Sequence, residues 1–126
     1  MFEQIIYGDK HITSITVRWK NDFTEAMSVL KTFFDDCNTQ HLLLDLRNSS
    51  LDSMTHDHIR DLCEYATSRN KGGCRVNGKT ALVGSNDLQL EICNIVKSHS
   101  EMIDTAIKVS VFPSTEEAMS WLEEGG

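Results

Sequence analysis

One segment of the sequence matches a nucleotide-binding motif. Residues 73–80, Gly-Cys-Arg-Val-Asn-Gly-Lys-Thr, fit the phosphate-loop pattern G-x-x-x-x-G-K-[ST], and the run 42–45 resembles a magnesium-binding strand end. A phosphate loop works because it leaves a strand and enters a helix, whose first amides hold the phosphates. Here a predicted helix precedes Gly73, and the β-like run 80–83 follows. We therefore expect a helix end and an Asn-Gly turn, and nucleotide binding at 73–80 stays a remote alternative.

The other residues with reactive side chains do not form a catalytic or metal-binding pattern. His56 and His58 are two apart on a predicted helix, so their side chains point about 200° apart and cannot chelate one ion. The four cysteines contain no C-x-x-C pair and match no zinc-finger spacing. The sequence thus predicts no catalytic residue, no metal site and no cofactor, and we expect a protein that is not an enzyme.

The segment 45–53 combines charged and hydroxyl side chains at a position where α/β proteins bind ligands. It follows a predicted strand and precedes a predicted helix, and ligands of open α/β sheets gather at such strand ends. Arg47 is a candidate for holding an anion or a partner carboxylate, unless it pairs with Asp45 or Asp52. Ser53 is a candidate phosphorylation site or a helix cap.

The composition places the chain among ordinary globular proteins and excludes several functions. The 126 residues (14.2 kDa) fit one domain, 1–126, and the net charge of −7 without a basic patch argues against nucleic acid as a partner. No apolar run approaches the ~20 residues of a membrane span, and no leader follows Met1. We expect a cytoplasmic protein with free thiols.

Hydrophobic periodicity and turn signals predict an α/β chain with a single five-stranded mixed sheet. The expected order is ββαβαβαβα, with an N-terminal hairpin and later strands that run parallel because helices connect them. Strands are expected at 2–7, 12–19, 41–46, 80–83 and 107–112. Helices are expected to begin at Thr24, at Ser53 or Thr55, at Asn86 or Asp87, and at Ser114 or Thr115.

Three segments give the chain a resemblance to the SpoIIAA-like family of small bacterial proteins, which is related in fold to STAS and CRAL-TRIO domains. They are 42–47 (LLLDLR), 79–88, which begins KTALV and ends with Asp-Leu, and 109–122, which begins VSVFPS and ends EAMSWL. The resemblance implies the ββαβαβαβα fold and no enzymatic activity. Anti-sigma-factor antagonists of the STAS type carry D-S-[ST]-G, whereas this chain has Asp-Ser-Met-Thr at 52–55.

The resemblance implies two kinds of partner. CRAL-TRIO kinship implies a lipophilic small molecule, or an apolar group met in peripheral contact with a membrane, held between the sheet and the helices at 24–37 and 86–99. Met27, Phe34, Leu90 and Cys93 are the candidate pocket residues, because they widen or flank the apolar stripes of those helices. Core packing or a homodimer interface explains the same surplus of apolar residues. STAS kinship implies a regulatory protein that docks at 47–54.

Overall fold

The described part of the chain forms one five-stranded sheet with helices on both of its faces. The computed structural model describes residues 2–18, 23–37, 39–51, 54–70, 78–103 and 107–124. The strands lie side by side in the order in which they occur in the sequence: β1 Phe2–Tyr7, β2 Ile12–Val17, β3 His41–Asp45, β4 Lys79–Val83 and β5 Lys108–Phe112. The four helices are α1 Phe23–Thr32, α2 His56–Asn70, α3 Asp87–Ile103 and α4 Thr115–Glu123. The predicted α/β class with one five-stranded mixed sheet is confirmed.

The sheet is mixed because its first two strands form a hairpin. β1 runs antiparallel to β2, and β2, β3, β4 and β5 run parallel to one another. The hairpin turn is a short 3₁₀ segment, Gly8–Lys10, followed by His11 in the left-handed conformation at φ 57°. β2 ends at Val17, and Trp19, which the sequence placed in this strand, lies outside the described residues.

The consecutive strand order determines which face each helix covers. Parallel strands joined by right-handed crossovers place their connecting helices on the same face when the strands advance in one direction across the sheet. Accordingly, buried residues of α1, α2 and α3 pack in one core with alternate strand residues such as Ile15, Leu44 and Leu82. On the opposite face α4 packs against Leu43 and Val83. β3 is therefore buried on both faces, as its unbroken leucine run indicates.

The N-termini of three helices carry the side-chain caps that the sequence predicts. Thr55 Oγ1 accepts a hydrogen bond from the His58 amide (3.2 Å). Asn86 Oδ1 accepts one from the Gln89 amide (2.8 Å), and Ser114 Oγ accepts one from the Glu117 amide (3.3 Å). The predicted cap Ser53 lies outside the described residues, and Thr24 lies inside α1, one residue after its described start.

The helix that follows the hairpin changes its geometry at its end. α1 continues as a π-helical turn, Phe33–Cys37, where the sequence predicted uninterrupted α-helix to about Cys37. Both Phe33 and Phe34 are buried in this turn. π-helical turns are rare and frequently occur beside functional sites, so this segment is relevant to the cavity described below.

The described helices are too short or too polar to cross a membrane. α3 is the longest of them with 17 residues, and it contains Glu91, Lys97 and Glu101. A membrane span needs ~20 predominantly apolar residues.

Candidate functional site

An apolar cavity lies between the sheet and the layer formed by α1, α2 and α3. Its floor is the face of the sheet that these helices cover, and the floor residues include Leu42, Leu44, Leu82 and Val109. The helices supply the walls, with Leu30 from α1, Ile59, Leu62 and Ala66 from α2, and Ile92 and Val96 from α3. We call this space the inner cavity.

The inner cavity has a volume of about 110 Å³. One water molecule needs only ~10 to 15 Å³ of such space, while sites for drug-sized ligands measure ~300 to 1,000 Å³. An engineered apolar cavity of ~150 Å³ remains dry and binds benzene. The inner cavity therefore matches a small apolar molecule, or the end of a larger one.

A cluster of aromatic and charged side chains covers the cavity where the π-helical turn meets α2. Phe34 lines the cavity and makes edge-to-face contacts with Phe33 and Tyr65, at centroid distances of 5.1 and 6.0 Å. The Arg69 guanidinium lies over the Phe34 ring at 5.5 Å and donates hydrogen bonds to Tyr65 Oη (2.8 Å) and Asp35 Oδ1 (2.6 Å). The hydrogen bond to Asp35 is the main reason that the pKa of Arg69 is raised. The Arg69 and Asp35 side chains are 35% and 58% exposed, and exposed ion pairs contribute little to stability, so this pair adds little to the packing that holds Phe34.

The structure separates the four candidate pocket residues. Phe34 lines the inner cavity. Cys93 is fully buried in the neighbouring core, while Met27 and Leu90 are half-buried on α1 and α3, and none of these three is among the described lining residues. α2 supplies much of the wall although the prediction named only the first and third helices, because the consecutive strand order puts α2 between them.

The charged residues at the end of β3, Asp45 and Arg47, bind each other. Arg47 Nε and Nη2 donate to Asp45 Oδ1 and Oδ2 at 2.9 and 2.8 Å, and the Arg47 amide also donates to Oδ1 at 3.1 Å. These hydrogen bonds raise the pKa of the Arg47 guanidinium, and Asp45 is almost fully buried. Arg47 thus takes the pairing with Asp45 that the sequence offered as one alternative, which leaves less of its charge for an external anion. Ser53 lies outside the described residues.

The same loop is fixed to the start of α3 by a buried glutamine. Gln89 Nε2 donates to the carbonyls of Arg47 (3.1 Å) and Ser49 (3.0 Å), and Gln89 Oε1 accepts from the Ser85 amide (2.9 Å). Ser49 Oγ in turn donates to the Val17 carbonyl at 2.8 Å. The loop segment 47–49 is therefore held to two neighbouring elements at the carboxyl ends of the strands.

The phosphate-loop match ends in a strand. Residues 73–77 lie outside the described residues, but Lys79 and Thr80 begin β4, as the β-like character of 80–83 predicts. The Lys79 ammonium donates to the carbonyls of Trp121 (2.9 Å) and Glu124 (3.2 Å) and lies 5.2 Å from the Trp121 ring centre. Lys79 thus binds the carboxyl end of α4, and the segment directly after it supplies no helix N-terminus for a phosphate.

Reactive chemistry has little support among the described residues. They contain no group of three or more histidine, cysteine or acidic side chains that could hold a metal ion. Cys63 and Cys93 are free and buried. Burial raises the pKa of the Cys63 thiol and raises that of Cys93 to about 12, so both stay protonated at neutral pH.

Comparison with known proteins gives no independent assignment. No family model matches the chain, and neither does any curated protein or solved structure. The resemblance to the SpoIIAA-like family stays a prediction from the sequence, and the function has to be inferred from the inner cavity and the loops around it.

Proposed function

We propose that this chain is a non-enzymatic module that binds a small lipophilic molecule in the inner cavity. The observation that supports this most directly is an apolar space of about 110 Å³ lined by residues of the main hydrophobic core. Protein interiors are close-packed, and voids larger than a water molecule are few in any domain. A void of this size, lined by side chains from the sheet and three helices, has the properties of a small apolar binding site.

The topology favours the inner cavity, rather than the edge of the sheet, as the ligand site. In doubly wound α/β folds, ligands bind in a crevice that opens where the strand order reverses. The order β1-β2-β3-β4-β5 of the described strands contains no reversal, so the topology does not create a switch-point crevice between them. Among the described residues, the inner cavity offers an apolar space lined by both the sheet and its helices.

The SpoIIAA-like resemblance agrees with the proposal through its CRAL-TRIO kinship, which implies an apolar ligand between sheet and helices. The alternative function, a regulatory domain of the STAS type, has less support from the described residues. In its docking segment, 47–54, Arg47 is already paired with Asp45. Hydrogen bonds of Ser49 and Gln89 fix the loop that follows. We therefore propose a single function.

Benzene is the probe that tests the proposal, because it enters apolar cavities of similar size. We expect a benzene titration to shift the methyl NMR signals of lining residues such as Leu44 and Ile92 and to leave those of Val83, on the opposite face, unchanged. Binding to the folded state also stabilises it, by about 2.7 kcal/mol when benzene is present at about 100 times its Kd.

A variant that fills the cavity provides the decisive control. Ala66→Leu adds a larger side chain at a lining position of α2, and Glu64→Leu makes a similar change at an exposed position of the same helix. We expect the first variant to lose the benzene shifts and the second to keep them. Absence of shifts in the unmodified protein at saturating benzene, or equal shifts in both variants, would overturn the proposal.

A further inference from the structure

The polar groups of the inner cavity are concentrated at one end. Thr67 lies in the last turn of α2 and Ser100 in the last turn of α3, and Thr80 lies at the start of β4 beneath them. Cys63 lies one turn before Thr67 on α2. The opposite end, around Leu46, Leu51 and Met54, is apolar. The cavity therefore has a direction, with an apolar body and one polar end.

The polar end contains hydroxyl and thiol groups. Ser100 Oγ donates to Cys63 Sγ over 4.0 Å, and Cys63 Sγ contacts the Val96 carbonyl at 3.9 Å. Sulfur is a weak acceptor, so a ligand oxygen placed here would be a better partner for the Ser100 hydroxyl. A ligand hydroxyl both accepts and donates, and it matches this pair of groups.

The charge environment discriminates against an acidic ligand. None of the described residues that line the cavity is charged, and Arg69, the cation of its cover, is already paired with Asp35 (2.6 Å), so a carboxylate inside would meet no unpaired cation among them. The polar end also lies beside the last turns of two helices, where the helix dipoles place partial negative charge. Burial of an unpaired ion costs several kcal/mol, and these dipoles add to that cost.

We propose that the ligand is a neutral molecule with a compact apolar body and one hydroxyl group, which binds against Ser100 and Cys63. This inference depends on the proposed binding function and adds the chemical class of the ligand. The same inference predicts that a carboxylic acid of the same size, which is ionised at neutral pH, does not bind. The cavity volume of about 110 Å³ limits the part of the ligand that is enclosed to roughly one small ring or a short branched chain.

Three aromatic probes of similar size test the inference: benzene, phenol and benzoate, each titrated into the full chain at neutral pH and followed by methyl NMR. One additional hydrogen bond strengthens binding by about 2- to 10-fold, so phenol is expected to bind that much more tightly than benzene. Benzoate is expected to bind at least about 100-fold more weakly than phenol, because its charge is buried without a partner.

Ser100→Ala identifies the group that recognises the hydroxyl. We expect this variant to lose the preference for phenol, so that the ratio of its benzene Kd to its phenol Kd falls to about one, whatever its absolute affinity for benzene. Ser98→Ala, at an exposed position of the same helix, should keep the preference for phenol.

The outcomes separate the two proposals. If benzene does not bind, the binding function itself fails. If benzene binds but benzoate binds as tightly as phenol, or if Ser100→Ala keeps the phenol preference, the binding function stands and the neutral-alcohol inference fails.

Discussion

Replacing Lys79 tests whether this lysine stabilises the fold or binds phosphate, and the expected loss of stability follows from its contacts. The ammonium is mostly buried and donates to the Trp121 and Glu124 carbonyls, and it also lies over the Trp121 ring. Lys79→Met keeps the aliphatic stem and removes the charge. Hydrogen bonds from a charged donor contribute about 1.5 to 3 kcal/mol each, and relief from burying the ammonium offsets part of the loss. We expect a net destabilisation of about 2 kcal/mol, which lowers the Tm by about 8 °C.

The matched control is Lys108→Met. Lys108 is the register partner of Lys79 on the neighbouring strand and is exposed, so the same substitution there should change stability by less than about 0.5 kcal/mol. Urea unfolding followed by far-UV circular dichroism measures both variants. Hydrogen exchange of α4 should accelerate in Lys79→Met alone, because its carboxyl end loses its cation.

Two results would refute this reasoning. Equal stability of Lys79→Met and the unmodified protein would show that the carbonyl contacts do not stabilise α4. Thermal protection of the unmodified protein by ATP, lost in Lys79→Met, would show that the ammonium binds phosphate instead.

Three further predictions concern the supports around the cavity. Gln89→Glu keeps the acceptor side of the glutamine but turns a carboxylate oxygen toward two carbonyls, so we expect a loss of about 3 kcal/mol in urea unfolding; a loss below about 0.5 kcal/mol would contradict it. Gly84→Ala would place a Cβ 3.0 Å from the Gln89 Cβ, so the Tm should fall by at least about 4 °C, and an unchanged or higher Tm would show that α3 shifts freely. Cys63 and Cys93 should resist iodoacetamide at pH 8 in the folded protein and react in urea, as peptide mass spectrometry can show; fast labelling without urea would mean that their burial is transient.

Features that depend on neighbouring residues in the sequence could be predicted well. An unbroken run at Leu42, Leu43 and Leu44 indicated a strand covered on both faces, and all three side chains are buried. Asn86 as a helix cap followed from residue type and position. Such patterns involve only a few neighbouring residues, so the local sequence is enough to predict the local structure.

The inner cavity depended on distant packing and could be predicted only in outline. Helical periodicity shows that Ile59, Leu62 and Ala66 face the core, but it does not show where the core fails to fill its space. That depends on how the side chains of α2 meet those of β3 and β4, which are distant in sequence. Lys79 illustrates the same point, because its partners at the carboxyl end of α4 are more than 40 residues away, while the residues next to it in the sequence match a phosphate-loop pattern.

The size of the inner cavity links stability to binding. An unfilled cavity lowers stability by about 24 cal/mol for each Å³, so about 110 Å³ corresponds to roughly 2 to 3 kcal/mol. Domains have a total stability of only ~5 to 15 kcal/mol, so this loss is a substantial fraction. A ligand that fills the cavity recovers part of this lost stability. The larger side chain introduced by Ala66→Leu also recovers part of it, and it would exclude the ligand. Higher stability without ligand and loss of binding should therefore occur together in this protein, as expected where a site is maintained at a cost to packing.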